Sequence, residues 1–160
     1  MQLNSIIILL SIFSGIALTF ILIYVSFPKL FFLENISPFS FEDTIKRFEE
    51  AVTAKGWKTP AVHDLKEIME KNGKPGLMHI RVYEVCKPDL AYSILSVDSS
   101  RYVSAMLPCR VSIYEKTGGF VYISRMRTSL MAYFMSRLIS RAMFSASRDV
   151  EDIIKNVLHR

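Results

Sequence analysis

From Ile6 to Phe27 the chain runs through 22 residues without one charged side chain, and the run shows no polar face. A helix there spans about 33 Å at about 1.5 Å per residue, enough for a hydrocarbon layer of about 30 Å. A cleaved leader would carry basic residues ahead of a shorter apolar run and a small-x-small site behind it. Here no Lys or Arg precedes Ile6, and the run ends on Phe27-Pro28-Lys29. The pattern therefore predicts an uncleaved anchor over residues 1–29 that crosses a membrane once. Tyr24, Phe27, Phe31 and Phe32 suit an interfacial belt, with Lys29 reaching the headgroups. Charge counting sets Lys29, with Lys46 and Arg47 farther off, against the α-amine alone. That leans to a cytoplasmic domain by one nearby charge, which leaves the side of the domain undecided.

Beyond the anchor the periodicity changes repeatedly. Leu30 to Ile36 is apolar and aromatic, a first strand stopped by Ser37-Pro38. Ser40 opens a helix with acidic residues in its first turn, and Phe41, Ile45, Phe48 and Val52 follow at helical spacing until Gly56 ends it. Trp57 to Val62 predicts a short strand. Leu65 to Lys71 predicts a brief helix with Leu65, Ile68 and Met69 inward. His79 to Val85 alternates, with Ile80, Val82 and Glu84 opposite Arg81, Tyr83 and Val85. Lys87-Pro88-Asp89 starts a helix to about Val97. Arg110 to Glu115 and Phe120 to Ser124 form strands around the Thr117-Gly118-Gly119 turn. Ser129 to Leu158 predicts one helix with a stripe of Leu130, Phe134, Leu138 and Ile139. The order β-α-β-α-β-α-β-β-α predicts an α+β domain over residues 30–160. Its sheet is mostly antiparallel, packed with helices and followed by a long C-terminal helix.

Composition narrows the functional classes. The 51% hydrophobic content is inflated by the anchor, and about 130 residues remain for one domain with a real core. The net charge of +5, from 20 basic and 15 acidic residues, is modest and local, which argues against nucleic acid. Two cysteines are too few for a disulfide scaffold, and their spacing fits no structural zinc pattern.

Several segments resemble a known family. Phe41-Glu42-Asp43-Thr44 with Lys55-Gly56-Trp57 is similar to the first helix of the domain-of-unknown-function family numbered 302. Tyr83-Glu84-Val85-Cys86-Lys87-Pro88, followed by Leu90-Ala91, and Leu107-Pro108-Cys109-Arg110 through Glu115 are similar to further hallmarks. So is Ile123-Ser124-Arg125-Met126-Arg127-Thr128-Ser129-Leu130-Met131. The resemblance covers roughly Leu33 to Leu158. It implies a compact α+β domain, often exported or membrane-tethered and self-associating, and it implies no reaction. Two positions depart from the family's pattern: Lys87 and Arg127 stand where it usually carries Asn.

Three features could carry chemistry. Cys86 ends one strand and Cys109 begins the next. If those strands are antiparallel, both thiols lie at one end of the sheet, as a disulfide, a shared metal or a redox pair needs. With a parallel crossover they sit about 20 Å apart. In either case they could simply be buried hydrophobes. Lys87 and Arg110, each adjacent to a cysteine, could lower a thiol pKa. The second feature is the set of 8 methionines, Met106, Met126, Met131 and Met135 among them, whose soft sulfur would suit Cu(I) or haem iron. At helical spacing such a stripe is also ordinary core packing. The third is the acid-free basic run from Lys116 to Arg148, holding Arg125, Arg127, Arg137 and Arg141 among Tyr133, Phe134, Met135 and Phe144. It predicts a face for lipid or a partner, or equally a helix with its arginines in water.

Acid–base machinery is sparse. His63 and His79 have no partner motif, His159 lies in the tail, and Asp64, Glu67 and Glu70 fit a solvated helix face. No Ser-His-Asp order, phosphate loop or HExxH occurs. The pattern predicts a non-catalytic accessory or binding protein of a membrane complex or homo-oligomer, touching membrane lipid and not nucleic acid. The alternative is a membrane-tethered thiol, sulfur or metal-handling redox module using Cys86 and Cys109. Neither a metal nor a cofactor is specified by the residues.

Overall fold

A computed structural model describes the main chain of Gln2–His159 and side chains from Leu10 onward. The chain divides between Phe32 and Leu33 into two compact units. The first is one helix, α1 (Gln2–Phe31). Its segment Leu10–Phe31, 22 residues of mean hydropathy 2.2, is long and apolar enough to cross a membrane, and none of it is buried. The helix runs through Pro28 and past the expected strand start at Leu30, so β1 (Phe32–Ser37) begins later, where pairing with a neighbouring strand takes over the backbone.

In the second unit follow α2 (Phe41–Ala54), β2 (Lys58–Asp64), α3 (Leu65–Lys71), β3 (Ile80–Cys86) and α4 (Pro88–Leu95). A 3₁₀ helix (Asp98–Met106), β4 (Cys109–Lys116), β5 (Phe120–Met126), α5 (Thr128–Ala132) and α6 (Arg137–Leu158) complete it. The five strands lie in the order β1-β5-β4-β3-β2, with β2/β3, β3/β4 and β4/β5 antiparallel. Gly118 and Gly119 take φ of 98° and 79°, which a non-glycine residue adopts only with strain, and so let β4 fold back directly into β5.

Period-two alternation puts Tyr83 and Val85, Val111 and Ile113, and Val121 and Ile123 on one buried face. Phe41, Ile45, Phe48 and Val52 from α2 cover that face together with Val150, Ile153, Ile154 and Val157 from α6. The result is a two-layer α+β domain. A smaller apolar cluster joins α4, the 3₁₀ helix and the start of α6 through Ile94, Val103, Ile139 and Ala142. Ser40 caps α2: its hydroxyl accepts from the Asp43 amide at 3.2 Å and donates to the Asp43 carboxylate at 2.6 Å.

Two further local expectations failed. The expected helix over Ser129–Leu158 is broken by a turn at Tyr133–Ser136, and its stripe breaks with it: Ile139 is buried, but Leu138 is 39% and Phe134 84% exposed. Amides three residues on close this turn, Phe134 onto Met131 and Met135 onto Ala132, which resets the helical phase before α6. In α3, none of Leu65, Ile68 and Met69 is buried, because the short helix packs only lightly beside β2 and β3.

Candidate functional site

Val85 stands opposite Cys109 in the β3/β4 register, so Cys86 lies one step beyond it. Adjacent antiparallel strands then hold the two Cα atoms roughly 6 Å apart. The antiparallel arrangement thus brings the thiols to one end of the sheet, and both are free. Strict alternation would point them to opposite faces, but Cys86 ends its strand as the chain turns into α4. Both line one cavity of ≈ 50 Å³, with Trp57, Met106, Ile139 and Met143 among its walls. Those walls are almost wholly carbon and sulfur. Cys109 also borders a wider cavity of ≈ 280 Å³ that reaches Arg125 and Glu151.

The neighbouring cations do not activate the thiols. Lys87 Nζ donates to Asp149 Oδ2 at 2.6 Å, and Arg110 donates to Glu84 Oε1 at 3.1 Å, so each charge is met by a carboxylate. Burial pushes the Cys86 thiol up. Burial, and then the charge Cys86 would carry, push Cys109 up to about 11. At neutral pH both are thiols, the reverse of the depressed pKa a thiolate nucleophile needs. Because the Cys109 pKa rises on folding from an ordinary 9.0, its protonated form stabilises the native state. That contribution is complete below pH 9.0 and is lost as pH rises through about 11. Its size is roughly 2–3 kcal/mol. Wild type should therefore lose more stability than Cys109→Ala between those pH values in urea titrations. Parallel losses in the two proteins would show that Cys109 does not titrate with unfolding.

Asp149 is a hub that sequence inspection missed. It accepts from Lys87 and, at 3.1 Å, from Trp57 Nε1. Burial would raise its carboxyl, but the bonds from Lys87 and Trp57 and the charges of Lys87 and Lys55 outweigh that and hold it low. The available signal was its place as the first acid after the long acid-free run. A second cluster joins β1 to the β4/β5 hairpin: Tyr114 donates to Glu34, and Lys116 Nζ lies 3.0 Å from Glu34 Oε1 and 3.9 Å from the Tyr122 ring centre. Hydrogen bonds from Tyr114 and Lys116 hold the Glu34 carboxyl low.

The four arginines separate. Arg125 was expected on a docking face but is 7% exposed. Its Nε and NH2 donate to the two carboxylate oxygens of Glu151 at 2.9 and 2.5 Å, and NH1 donates to Asn35 at 2.5 Å. It faces the core because β5 alternation places it beside Val121 and Ile123, so it is an internal tie and not a docking residue. Arg127 is half-buried ahead of α5. Arg137 and Arg141 are exposed and form no ion pair with a described residue. Beside them Tyr133 and Phe134 are 75% and 84% exposed.

The remaining candidates hold local structure. His63 meets Glu84 at 3.3 Å, His79 packs on the Phe41 ring, and the His159 carbonyl accepts from Arg47. Asp64 caps α3 through the Glu67 amide, and Glu67 pairs with Lys71. Among the described residues no three His, Cys, Asp or Glu side chains gather as a metal cluster.

Residues 34–160 match the family described as domain of unknown function DUF302. The chain belongs to the DUF302 family. The crystal structure of an uncharacterized conserved DUF302 protein from Bacillus stearothermophilus is similar, with a TM-score of 0.72 and 18% identity. The match covers 80% of this chain and 98% of that one. At that identity it shows the shared fold. No curated protein matches the sequence. Lys87 and Arg127 are the N-cap residues of α4 and α5, and neither makes a side-chain cap bond. Asn, the residue that the resemblance led us to expect at both positions, is a favoured N-cap. Here Lys87 instead reaches across to Asp149 on α6.

Proposed function

We propose that this DUF302 chain is a non-catalytic accessory subunit of a membrane complex, anchored by the helix over Leu10–Phe31 and docking through the elbow between α5 and α6. The observation that supports this reading is the elbow itself, where exposed Tyr133 and Phe134 stand beside Arg137 and Arg141, which pair with no described carboxylate. Exposed aromatic rings next to unneutralised guanidinium groups suit an acidic, partly apolar surface. The thiols, held protonated and without an acid–base partner, support the non-catalytic part.

Purification tests it. The full chain should stay in membranes through an alkaline carbonate wash and bring a stoichiometric partner in mild detergent. Arg137→Glu with Arg141→Glu should stay anchored and folded but weaken that association more than tenfold, since each charge near an acidic surface is worth about 1 kcal/mol. Release by carbonate would remove the anchor, and an unchanged partner yield in the double variant would return both arginines to a solvated face. Vesicle binding by residues 33–160 that needs anionic lipid would make the docking surface lipid instead. A second reading, thiol or metal handling, is favoured by one observation: Cys86 and Cys109 wall the same cavity.

A further inference from the structure

We propose that the small cavity between the ends of β3 and β4 and helices α4 and α6 binds one Cu(I) ion through the Cys86 and Cys109 thiolates, with the thioethers of Met106 and Met143 completing the site. This goes beyond the docking reading and does not depend on it.

Four sulfur-bearing side chains line this one space: Cys86, Cys109, Met106 and Met143. At ≈ 50 Å³ the cavity is far smaller than the roughly 300–1,000 Å³ of organic-ligand pockets. Water is a poor occupant too, because a buried water needs two to four polar partners and these walls offer almost none. An ion that prefers soft donors fits both the size and the lining.

Geometry permits shared coordination. Metal–sulfur bonds of about 2.3 Å place two thiolates on one ion no more than about 4.6 Å apart. Cysteines on adjacent strands, one register step from direct opposition, can reach that separation. The donor set selects the metal. Zinc sites take four N, O or S ligands, and among the described residues no third His, Cys, Asp or Glu joins the two cysteines. Thioether and thiolate together favour Cu(I). Lys87 is no ligand, since its ammonium is bound to Asp149.

The binding step balances without electron transfer. Each thiol releases one proton to solvent as its sulfur bonds the ion, and copper remains monovalent. Two thiolates and one Cu(I) leave a single negative charge, beside the Lys87–Asp149 ion pair on the same wall. Each thiol must lose its proton to bind, so protons compete with the metal and affinity should rise with pH.

The test uses the full chain in detergent, reduced and free of oxygen, titrated with Cu(I) against a chromophoric Cu(I) chelator. The expected result is one ion per chain, a new ultraviolet thiolate-to-metal absorption, and loss of alkylation at both cysteines. Cys86→Ser or Cys109→Ser should abolish that absorption. The milder Met106→Leu/Met143→Leu pair should keep the fold by circular dichroism and yield copper to the chelator more readily. Failure of wild type to take copper from the chelator would overturn the proposal. So would equal binding by the Cys86→Ser/Cys109→Ser variant, or displacement of Cu(I) by equimolar Zn(II). If a serine variant does not fold, the wild-type titration and the methionine pair still decide.

Discussion

Arg125→Ala should destabilise residues 33–160 by about 3 kcal/mol, the low end of the cost of removing one partner from a buried ion pair, because Glu151 keeps 32% of its side chain in water. The guanidinium is nearly inaccessible and meets both oxygens of Glu151 and the side-chain oxygen of Asn35. Truncation leaves Glu151 without its counter-charge and Asn35 without its donor. Three elements then lose a common tie, since Asn35 lies on β1, Arg125 on β5 and Glu151 on α6. Arg125→Lys should recover only part, because an ammonium cannot reproduce the planar two-pronged contact. Arg125→Met combined with Glu151→Leu should recover most of the loss, as it removes both charges and fills the volume. Urea denaturation of the four proteins measures this. A cost below about 1 kcal/mol for Arg125→Ala would place the pair among ordinary surface bridges and contradict its burial.

Phe48→Ala should cost about 3–5 kcal/mol through lost burial and the cavity it leaves. Phe48 is fully buried where α2 meets the sheet, and its ring stands edge-on to Tyr83 with centroids 5.0 Å apart. Tyr83 is itself buried, and its hydroxyl donates to Glu49 Oε1 at 2.9 Å. Tyr83→Phe keeps the ring contact and removes only that hydrogen bond, so it should cost about 1 kcal/mol. The contrast between the two variants in one denaturation series is the check. Equal effects would mean that the hydroxyl, and not the aromatic packing, holds α2 to β3.

Periodic segments could be read from the residues because periodicity reports which face is buried. Phe41, Ile45, Phe48 and Val52 repeat at helical spacing and lie in the core. Alternation in β3, β4 and β5, with the paired glycines between the last two, gave the strands and hairpin to within a residue or two. The long uncharged run gave α1 for the same reason: a charge-free stretch of that length cannot pass unnoticed. Joining those segments is a different matter. The thiols' neighbourhood depended on β3 and β4 being antiparallel, which spacing alone left open. Arg125 belonged to a basic run in sequence and to a partly buried ion pair in space, because its partners lie 90 and 26 residues away. The α5–α6 elbow carried a continuous helical stripe in sequence, yet Ala132 and Ile139 are buried on either side of a turn that exposes Phe134. Hydrophobic spacing records local burial. Which buried faces meet, and which charges find partners, was decided only when tertiary packing set the distances over which Coulomb and contact energies act.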